Sequence, residues 1–235
     1  MQAFSRTQML LGAEAMVKLK KAKVAVFGLG GVGSYTVEAL VRSGVGQLAL
    51  FDFDRVEITN LNRQLIADRS TIGKKKTRVT AQRVLSINPH CIVEENDCFY
   101  SKENADDYDL STYDYIVDAI DSVKSKVLLI ERSKAAGIPI ISCMGAGNKL
   151  DPCRFQVADI YKTSVCPLAK IMRRKLRDKG IESLKVVYSD EEPVKAAPLE
   201  GSDEKTPPAT GSLAYVPSVA GLILAGEVIK DLIKD

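Results

Sequence analysis

The 235-residue sequence predicts an α/β fold, a doubly wound and mainly parallel sheet with flanking helices. Three observations predict it. Short apolar runs alternate with segments of helical apolar spacing over the first two thirds of the chain. The runs are almost continuously apolar, as in parallel strands that are buried on both faces. A glycine-rich turn directly follows the first run, as in the first unit of many βαβ folds.

The first two strands are predicted at residues 23–29 and 47–52, where the runs KVAVFGL and QLALFD occur. Helical spacing fills residues 32–41 between them and stops at Ser43-Gly44, because glycine commonly ends a helix. A second helix is predicted over residues 77–87, before an Asn-Pro pair.

Three further strands are predicted at residues 91–96, 115–120 and 139–144. A third helix lies between the last two, from Val123 to near Gly137. Right-handed crossovers would place these helices on both faces of the sheet.

The last third of the chain changes in composition and predicts irregular structure. Residues 162–179 hold seven Lys or Arg against one acid, and residues 190–205 hold six acids against two Lys. We expect a basic helix with Leu168, Ile171, Met172 and Leu176 toward the core, then a mobile acidic loop. A last helix is predicted from Pro217 to about Ile233.

The length is compatible with a single domain over residues 1–235. Within it we distinguish four predicted parts. They are an N-terminal arm and helix (1–20), a core that contains the glycine-rich turn (21–160), the basic helix with the acidic loop (161–212) and a C-terminal helix (213–235).

Composition excludes several classes of protein. The 46% hydrophobic and 27% charged residues are globular averages, and a net charge of +3 requires any basic site to be local. The lone histidine, His90, argues against His-rich metal clusters and a Ser-His-Asp triad. The five cysteines form no CxxC pair, so the sequence supports neither a zinc ribbon nor a dithiol redox motif. We expect a reduced, cytoplasmic protein without stable membrane association.

The turn GLGGVGS holds the strongest local motif. Gly28, Gly30 and Gly33 fit GxGxxG, and Asp52 follows at the end of the second predicted strand, where an acid binds ribose hydroxyls. This pattern predicts a Rossmann-like nucleotide site, so we interpret residues 21–160 as a nucleotide-binding core. A turn without a ligand is the alternative, and the motif alone does not separate a nicotinamide dehydrogenase from an enzyme that uses ATP.

The charges that follow favour a phosphate chemistry. The loop FDFDRVEITNLNRQ contains Asp52, Asp54, Asn60 and Arg63. This loop is more polar than a dehydrogenase needs at this place. Acids near phosphates hold ribose or Mg²⁺, while Arg and Lys neutralise phosphate charge. Lysines 74–76 begin a helix, where their charges oppose the helix dipole, and this suggests an anionic ligand nearby. The segment DAIDS places Asp118 and Asp121 at the end of a strand. A solvated basic cluster is an equal interpretation of Lys74 and Lys75.

The segments GLGGVGS, LFDFDRVEITNLNRQ, GKKK and DAIDS, in this order, resemble the ThiF/MoeB/HesA family of ubiquitin-activating-enzyme-like adenylating enzymes. The resemblance covers residues 6–159. It implies an enzyme that uses ATP to convert a carboxylate into an acyl-adenylate and releases pyrophosphate.

The resemblance also implies roles for individual residues. Arg63 and Lys76 would contact the phosphates, Asp121 would hold Mg²⁺, and Arg6 would enter the active site of the partner subunit in a homodimer. The remaining implied nucleotide-binding residues are Gly28, Gly30, Gly31, Gly33, Asp52, Asp54 and Asn60.

Within that family, FSRTQMLLG, INPHC, DAIDSVKSK, IPIISCMGAGNKLDP and DIYKTSVCPLAKIMRRKLR are similar to the tRNA threonylcarbamoyladenosine dehydratase branch. This similarity implies ATP-dependent dehydration of threonylcarbamoyladenosine in tRNA to its cyclic form. The threonine carboxylate would be adenylated before ring closure. The similarity also suggests a monovalent cation, Na⁺ or K⁺, at residues 145–152, and a sulfur-relay partner protein.

Two other functions stay open at this point. The chain could adenylate the C-terminus of a ubiquitin-like sulfur carrier, although the two zinc-binding CxxC pairs common in such enzymes are absent. An NAD-dependent oxidoreductase has only GxGxxG and Asp52 in its favour. Cys166 is a candidate thiol nucleophile or persulfide acceptor, with a space-filling role as the favoured alternative.

Overall fold

The computed structural model describes residues 3–197 and 210–234, which contain a seven-stranded sheet in the order β3-β2-β1-β4-β5-β7-β6. Six strands are parallel, and β6 pairs antiparallel with β7. The strands are β1 Lys23–Phe27, β2 Gln47–Phe51, β3 Ile92–Asn96, β4 Tyr115–Asp118, β5 Ile140–Cys143, β6 Phe155–Asp159 and β7 Lys185–Ser189.

Six α-helices flank this sheet. They are α1 Ser5–Lys21, α2 Gly33–Arg42, α3 Lys76–Ile87, α4 Val123–Ala135, α5 Pro167–Arg177 and α6 Tyr215–Ile233. Helix α1 is interrupted at Gly12, whose φ of +84° is a left-handed value that glycine adopts readily.

The sheet separates two apolar cores because successive strand residues point to opposite faces. Val24 and Val26 of β1 pack with α1, α2, α3 and α6 on one face. Ala25 and Phe27 pack with α4 and α5 on the other. The central strands are therefore buried on both sides, as their continuous apolar sequences predict.

The doubly wound, mainly parallel fold predicted from the sequence is confirmed. All five predicted strands and all six predicted helices are present, with ends that differ by a few residues. Helix α6 begins at Tyr215, so Pro217 lies in its first turn, where its missing N–H removes no helical hydrogen bond.

The last third of the chain is more regular than the sequence indicates, since β6 and β7 were not predicted. Strand β6 is an edge strand with Gln156 and Val157 exposed, so its sequence lacks the apolar run of a buried strand. Strand β7 lies between β5 and β6 and has four buried residues.

The predicted inward face of α5 is wrong at one position. Ile171 is 41% exposed, while Ala169, Met172 and Leu176 are buried. Arg173 is half-buried, and its Nη1 donates to the carbonyl oxygen of Thr163 at 3.0 Å.

The predicted acidic loop is anchored where it begins. The Asp190 carboxylate accepts from Arg154 Nε at 2.7 Å, and the Glu191 carboxylate accepts from the backbone N–H groups of Leu150 and Asp151. Residues 192–197 have no regular secondary structure. Residues 198–209 of the predicted loop lie outside the described residues, and the single-domain assignment stays a prediction.

None of the helices in residues 3–197 and 210–234 combines the length and the apolar composition that crossing a bilayer would require.

Candidate active site

A cavity of about 470 Å³ lies at the carboxyl ends of β1, β2 and β4. Open α/β sheets bind ligands at this edge, because the loops that follow the parallel strands meet there. Nine residues selected from the sequence line this cavity. They are Gly28, Gly30, Gly31, Asp52, Asp54, Asn60, Arg63, Lys76 and Asp121.

The glycine turn needs glycine at two positions for steric reasons. Gly28 has a φ of +88°, and a Cβ there would lie 2.6 Å from the carbonyl oxygen of Ala119. A Cβ at Gly33 would lie 1.8 Å from the carbonyl oxygen of Gly28. Gly33 does not line the cavity. Because it has no side chain, α2 can pack closely behind the turn.

Asp52 fixes this turn through its carboxylate. Oδ2 accepts from the Leu29 N–H at 2.7 Å, and Oδ1 accepts from the Asp54 N–H at 2.9 Å. Burial raises the pKa of the Asp52 carboxyl, and the neighbouring Lys76 ammonium opposes the rise. Each oxygen keeps a second lone pair, which can accept from a ribose hydroxyl.

Lys76 supplies a buried cation at the first position of α3. Its side chain is 5% exposed, and its Nζ lies 2.8 Å from Asp54 Oδ2. The adjacent Lys75 instead pairs with Asp97 and does not line the cavity. Of these two neighbouring lysines, only Lys76 is placed to neutralise an anion in the cavity.

Arg63 and Asn60 lie on the loop between β2 and α3. Arg63 Nη1 donates to Thr59 O and Asn62 Oδ1, both at 2.9 Å. Its Nε and Nη2 have no hydrogen-bond partner among the described residues. Asn60 Oδ1 accepts from the Glu57 N–H at 3.1 Å, which fixes the short turn that carries both side chains.

Asp121 and Asp118 point to different environments. Asp121 is exposed at the cavity and forms no ion pair or hydrogen bond with the residues that the structure describes. Asp118 is fully buried and pairs with Lys126, and the Ser142 hydroxyl also donates to it. Lys126 Nζ donates to Ile120 O at 3.0 Å, and Asp118 accepts from the Ile120 N–H at 3.1 Å. This buried pair thus holds the turn that carries Asp121.

The sequence analysis missed an aromatic part of the wall. Phe53 and Phe99 are 58% and 45% exposed, and their rings meet edge to face at 5.0 Å. Phe53 follows β2 and Phe99 follows β3, so the parallel pairing of these strands brings them together. Exposed aromatic rings at a cavity mouth can stack on a base.

Cys143, which lines the cavity, and Cys166, which does not, are both packed residues. Cys143 is 4% exposed, and burial raises the pKa of its thiol to about 12. Cys166 is 1% exposed, immediately before α5, and its Sγ would lie 3.6 Å from a Cβ at Gly145. This burial favours the space-filling interpretation of Cys166 over a nucleophilic one.

Arg6 and the 145–152 loop complete the sequence-selected set. Arg6 is exposed on α1 and does not line the cavity of its own chain. Residues 145–147 line the cavity, and Asn148, with a φ of +56°, exchanges two hydrogen bonds with Gly211. Within the part of the chain described, no three His, Cys, Asp or Glu side chains converge as a metal site.

Comparison with known proteins assigns the family. The model of the ThiF family matches residues 4–235. The chain belongs to the ThiF family. The Bacillus subtilis (strain 168) tRNA threonylcarbamoyladenosine dehydratase is 45% identical over 243 residues, and the alignment covers 99% of this chain and 95% of that protein. The Haemophilus influenzae protein of the same name is 47% identical over 176 residues, which cover 75% of this chain and 67% of that protein.

A solved structure agrees with this ThiF assignment. The crystal structure of E. coli tRNA N6-threonylcarbamoyladenosine dehydratase, TcdA, in complex with ATP aligns with a TM-score of 0.89. The alignment covers 99% of this chain and 94% of that chain at 35% identity. The family resemblance stated from the sequence motifs is confirmed, including the dehydratase branch.

Proposed function

We propose that this ThiF-family chain is an ATP-dependent tRNA threonylcarbamoyladenosine dehydratase. The observation that carries the proposal is its similarity to a named dehydratase over 99% of its length. The glycine turn and the charged side chains around the cavity support the same activity, because such groups bind the phosphates of a nucleoside triphosphate.

The reaction consists of two substitutions that together remove one water. The threonine carboxylate attacks the α-phosphorus of ATP, and pyrophosphate leaves. The carbamoyl group of the same modified base then attacks the acyl carbon, AMP leaves, and one proton is released. Ring closure is intramolecular, so the protein needs mainly to position the two groups and to stabilise phosphate charge.

The lining residues have distinct proposed roles. Asp52 holds the ribose, and the glycine turn and Asn60 shape the nucleotide site. Arg63, whose Nε and Nη2 have no partner among the described residues, and Lys76, with a buried ammonium, stabilise the negative charge that builds up on the phosphates. Gly30 and Gly31 let the backbone approach the phosphates closely.

Asp121 is the proposed magnesium ligand. Mg²⁺ is commonly held by one or two carboxylates together with substrate phosphates. Asp121 offers at the cavity a carboxylate that pairs with none of the described residues. Asp54 is less suited, since it is paired with Lys76. When bound, Mg²⁺ would neutralise phosphate charge beside Asp121.

Further proposals follow from the family resemblance. We propose a homodimer in which Arg6 of one subunit reaches the cavity of the other, since Arg6 is exposed and lies away from its own cavity. We also propose a monovalent cation at residues 145–152, a sulfur-relay partner, and a cytoplasmic location where tRNA is found.

The exposed face of α5 is a proposed tRNA contact. Lys170 and Arg174 are exposed, lie one turn apart and form no ion pair within residues 3–197 and 210–234. Like charges at this spacing repel, and an RNA backbone would relieve that repulsion.

A pyrophosphate-release assay separates this function from its alternative. The protein and ATP are incubated either with tRNA that carries threonylcarbamoyladenosine or with a sulfur-carrier protein ending in Gly-Gly. We expect pyrophosphate release only with the modified tRNA. Release that requires the carrier protein, and not the tRNA, would favour the sulfur-carrier activator instead.

A further inference from the structure

A second cavity, of about 670 Å³, adjoins the nucleotide cavity. It lies between the segment that follows β3, the first half of α4 and the C-terminal end of α5. Phe99 and Ser125 line both cavities, so the two share a wall. We call this second cavity the side cleft. None of the roles proposed above for the nucleotide site uses it.

The side cleft combines an apolar wall with a basic rim. Val123, Val127 and Leu128 of α4 form the apolar part, and the half-exposed ring of Phe99 stands where the two cavities meet. The rim carries Lys102, Lys124 and Lys175. These three lysines are exposed and form no ion pair within the part of the chain that the structure describes.

None of the three acids that line the side cleft forms an ion pair with Lys102, Lys124 or Lys175 among the described residues. Glu131 pairs with a fourth lysine, Lys179, at 3.1 Å, and Glu103 accepts a hydrogen bond from the Ser101 hydroxyl. Asp178 is the C-cap residue of α5, where its backbone N–H donates to the helix carbonyls, and its carboxylate pairs with none of the described lysines. Four lysines against three acids give a lining with one net positive charge, and α5 continues the basic surface beyond it.

We propose that the side cleft binds the single-stranded RNA that flanks the modified adenosine of the tRNA, an inference that rests on the proposed function. A tRNA that places one base at the ATP in the nucleotide cavity must lay its neighbouring nucleotides on the adjoining protein surface. Proteins hold single-stranded RNA by stacking bases on aromatic rings and by binding phosphates in a basic groove. Phe99 supplies the ring, and Lys102, Lys124 and Lys175 supply the charges.

The test measures binding of a synthetic tRNA stem–loop that carries threonylcarbamoyladenosine in its single-stranded loop, without ATP, at several salt concentrations. The double variant Lys102→Gln with Lys124→Gln loses two phosphate contacts. Its logarithmic salt slope should become shallower by about 1.4, and its affinity should fall about tenfold at physiological salt. Phe99→Ala should weaken binding about fivefold or more with the slope unchanged, because stacking releases no counterions.

The matched control is Lys21→Gln with Lys134→Gln, which removes two exposed lysines that do not line the side cleft. The control should bind like the wild type. Wild-type affinity and slope in the Lys102/Lys124 variant would overturn the proposal, and so would an equal loss in the control.

The dehydration activity of the wild type is measured in parallel. A wild type that binds the stem–loop through the side cleft but removes no water contradicts the proposed function alone. If the wild type is active and the Lys102→Gln with Lys124→Gln variant binds the RNA with wild-type affinity, the result contradicts the side-cleft proposal alone.

Discussion

Asp118 Oδ2 and Lys126 Nζ lie 3.0 Å apart, and neither side chain has any exposed surface. Burying two charges costs desolvation energy that offsets their attraction, so we infer that the main role of the pair is to position the neighbouring backbone. It binds both the N–H and the carbonyl of Ile120, directly before Asp121. The pair therefore fixes the direction in which the proposed magnesium ligand leaves β4.

Lys126→Met should destabilise the fold strongly, because it leaves the Asp118 carboxylate buried without a counter-charge. We expect a loss of about 3 to 5 kcal/mol in the free energy of unfolding, measured by urea denaturation. Asp118→Asn with Lys126→Met removes both charges and should recover most of that loss. Equal instability of the single and double variants would show that the ion pair is not the cause.

Lys76→Ala should abolish adenylation, while Lys75→Ala should leave it nearly unchanged. Only Lys76 lines the cavity, and one well-placed electrostatic contact is worth about 3 kcal/mol, a hundredfold or more in rate. Arg63→Ala and Asp121→Ala should be as inactive as Lys76→Ala. The measurement is pyrophosphate release with modified tRNA. Near-wild-type turnover in any of these three would mean that its role is misassigned.

Arg6→Ala and Asp121→Ala subunits should each be inactive alone and regain activity when mixed. In a mixed dimer, one site has both the intact Asp121 and the partner's intact Arg6. The mixture is assayed for pyrophosphate release after subunit exchange. No recovery of activity in dimers that have exchanged would rule out a shared site.

The pair Lys170→Glu with Arg174→Glu should weaken tRNA binding about tenfold or more and make its salt dependence shallower. Affinity for ATP should not change, because neither residue lines the nucleotide cavity. Arg173 is unsuitable for this test, since its guanidinium bonds to Thr163 and its replacement would disturb α5. Unchanged tRNA affinity and salt slope would place the RNA contact elsewhere.

The sequence predicts the parts of the fold that are determined by the residue pattern within a short segment. Continuous apolar runs locate β1, β2, β4 and β5, because strands buried on both faces need them. Strand β6 escapes prediction because it is an edge strand with one face exposed. The glycine turn and Asp52 are found from their spacing, because a tight turn and close packing impose it.

Long-range features of the site are not visible in the sequence. Lys124 and Lys126 stand in the same motif, DAIDSVKSK, yet Lys124 is exposed and Lys126 is fully buried. Only the packing of α4 on the sheet distinguishes them. Phe53 and Phe99 are likewise brought together by the pairing of β2 with β3.

Mass spectrometry of tRNA nucleosides tests the central claim most directly. tRNA that carries threonylcarbamoyladenosine is incubated with the protein and ATP, then digested under conditions that preserve the cyclic product. We predict loss of one water from that nucleoside, dependent on ATP and absent with Asp121→Ala. An unchanged nucleoside mass with folded, ATP-binding protein would contradict the assignment as a dehydratase.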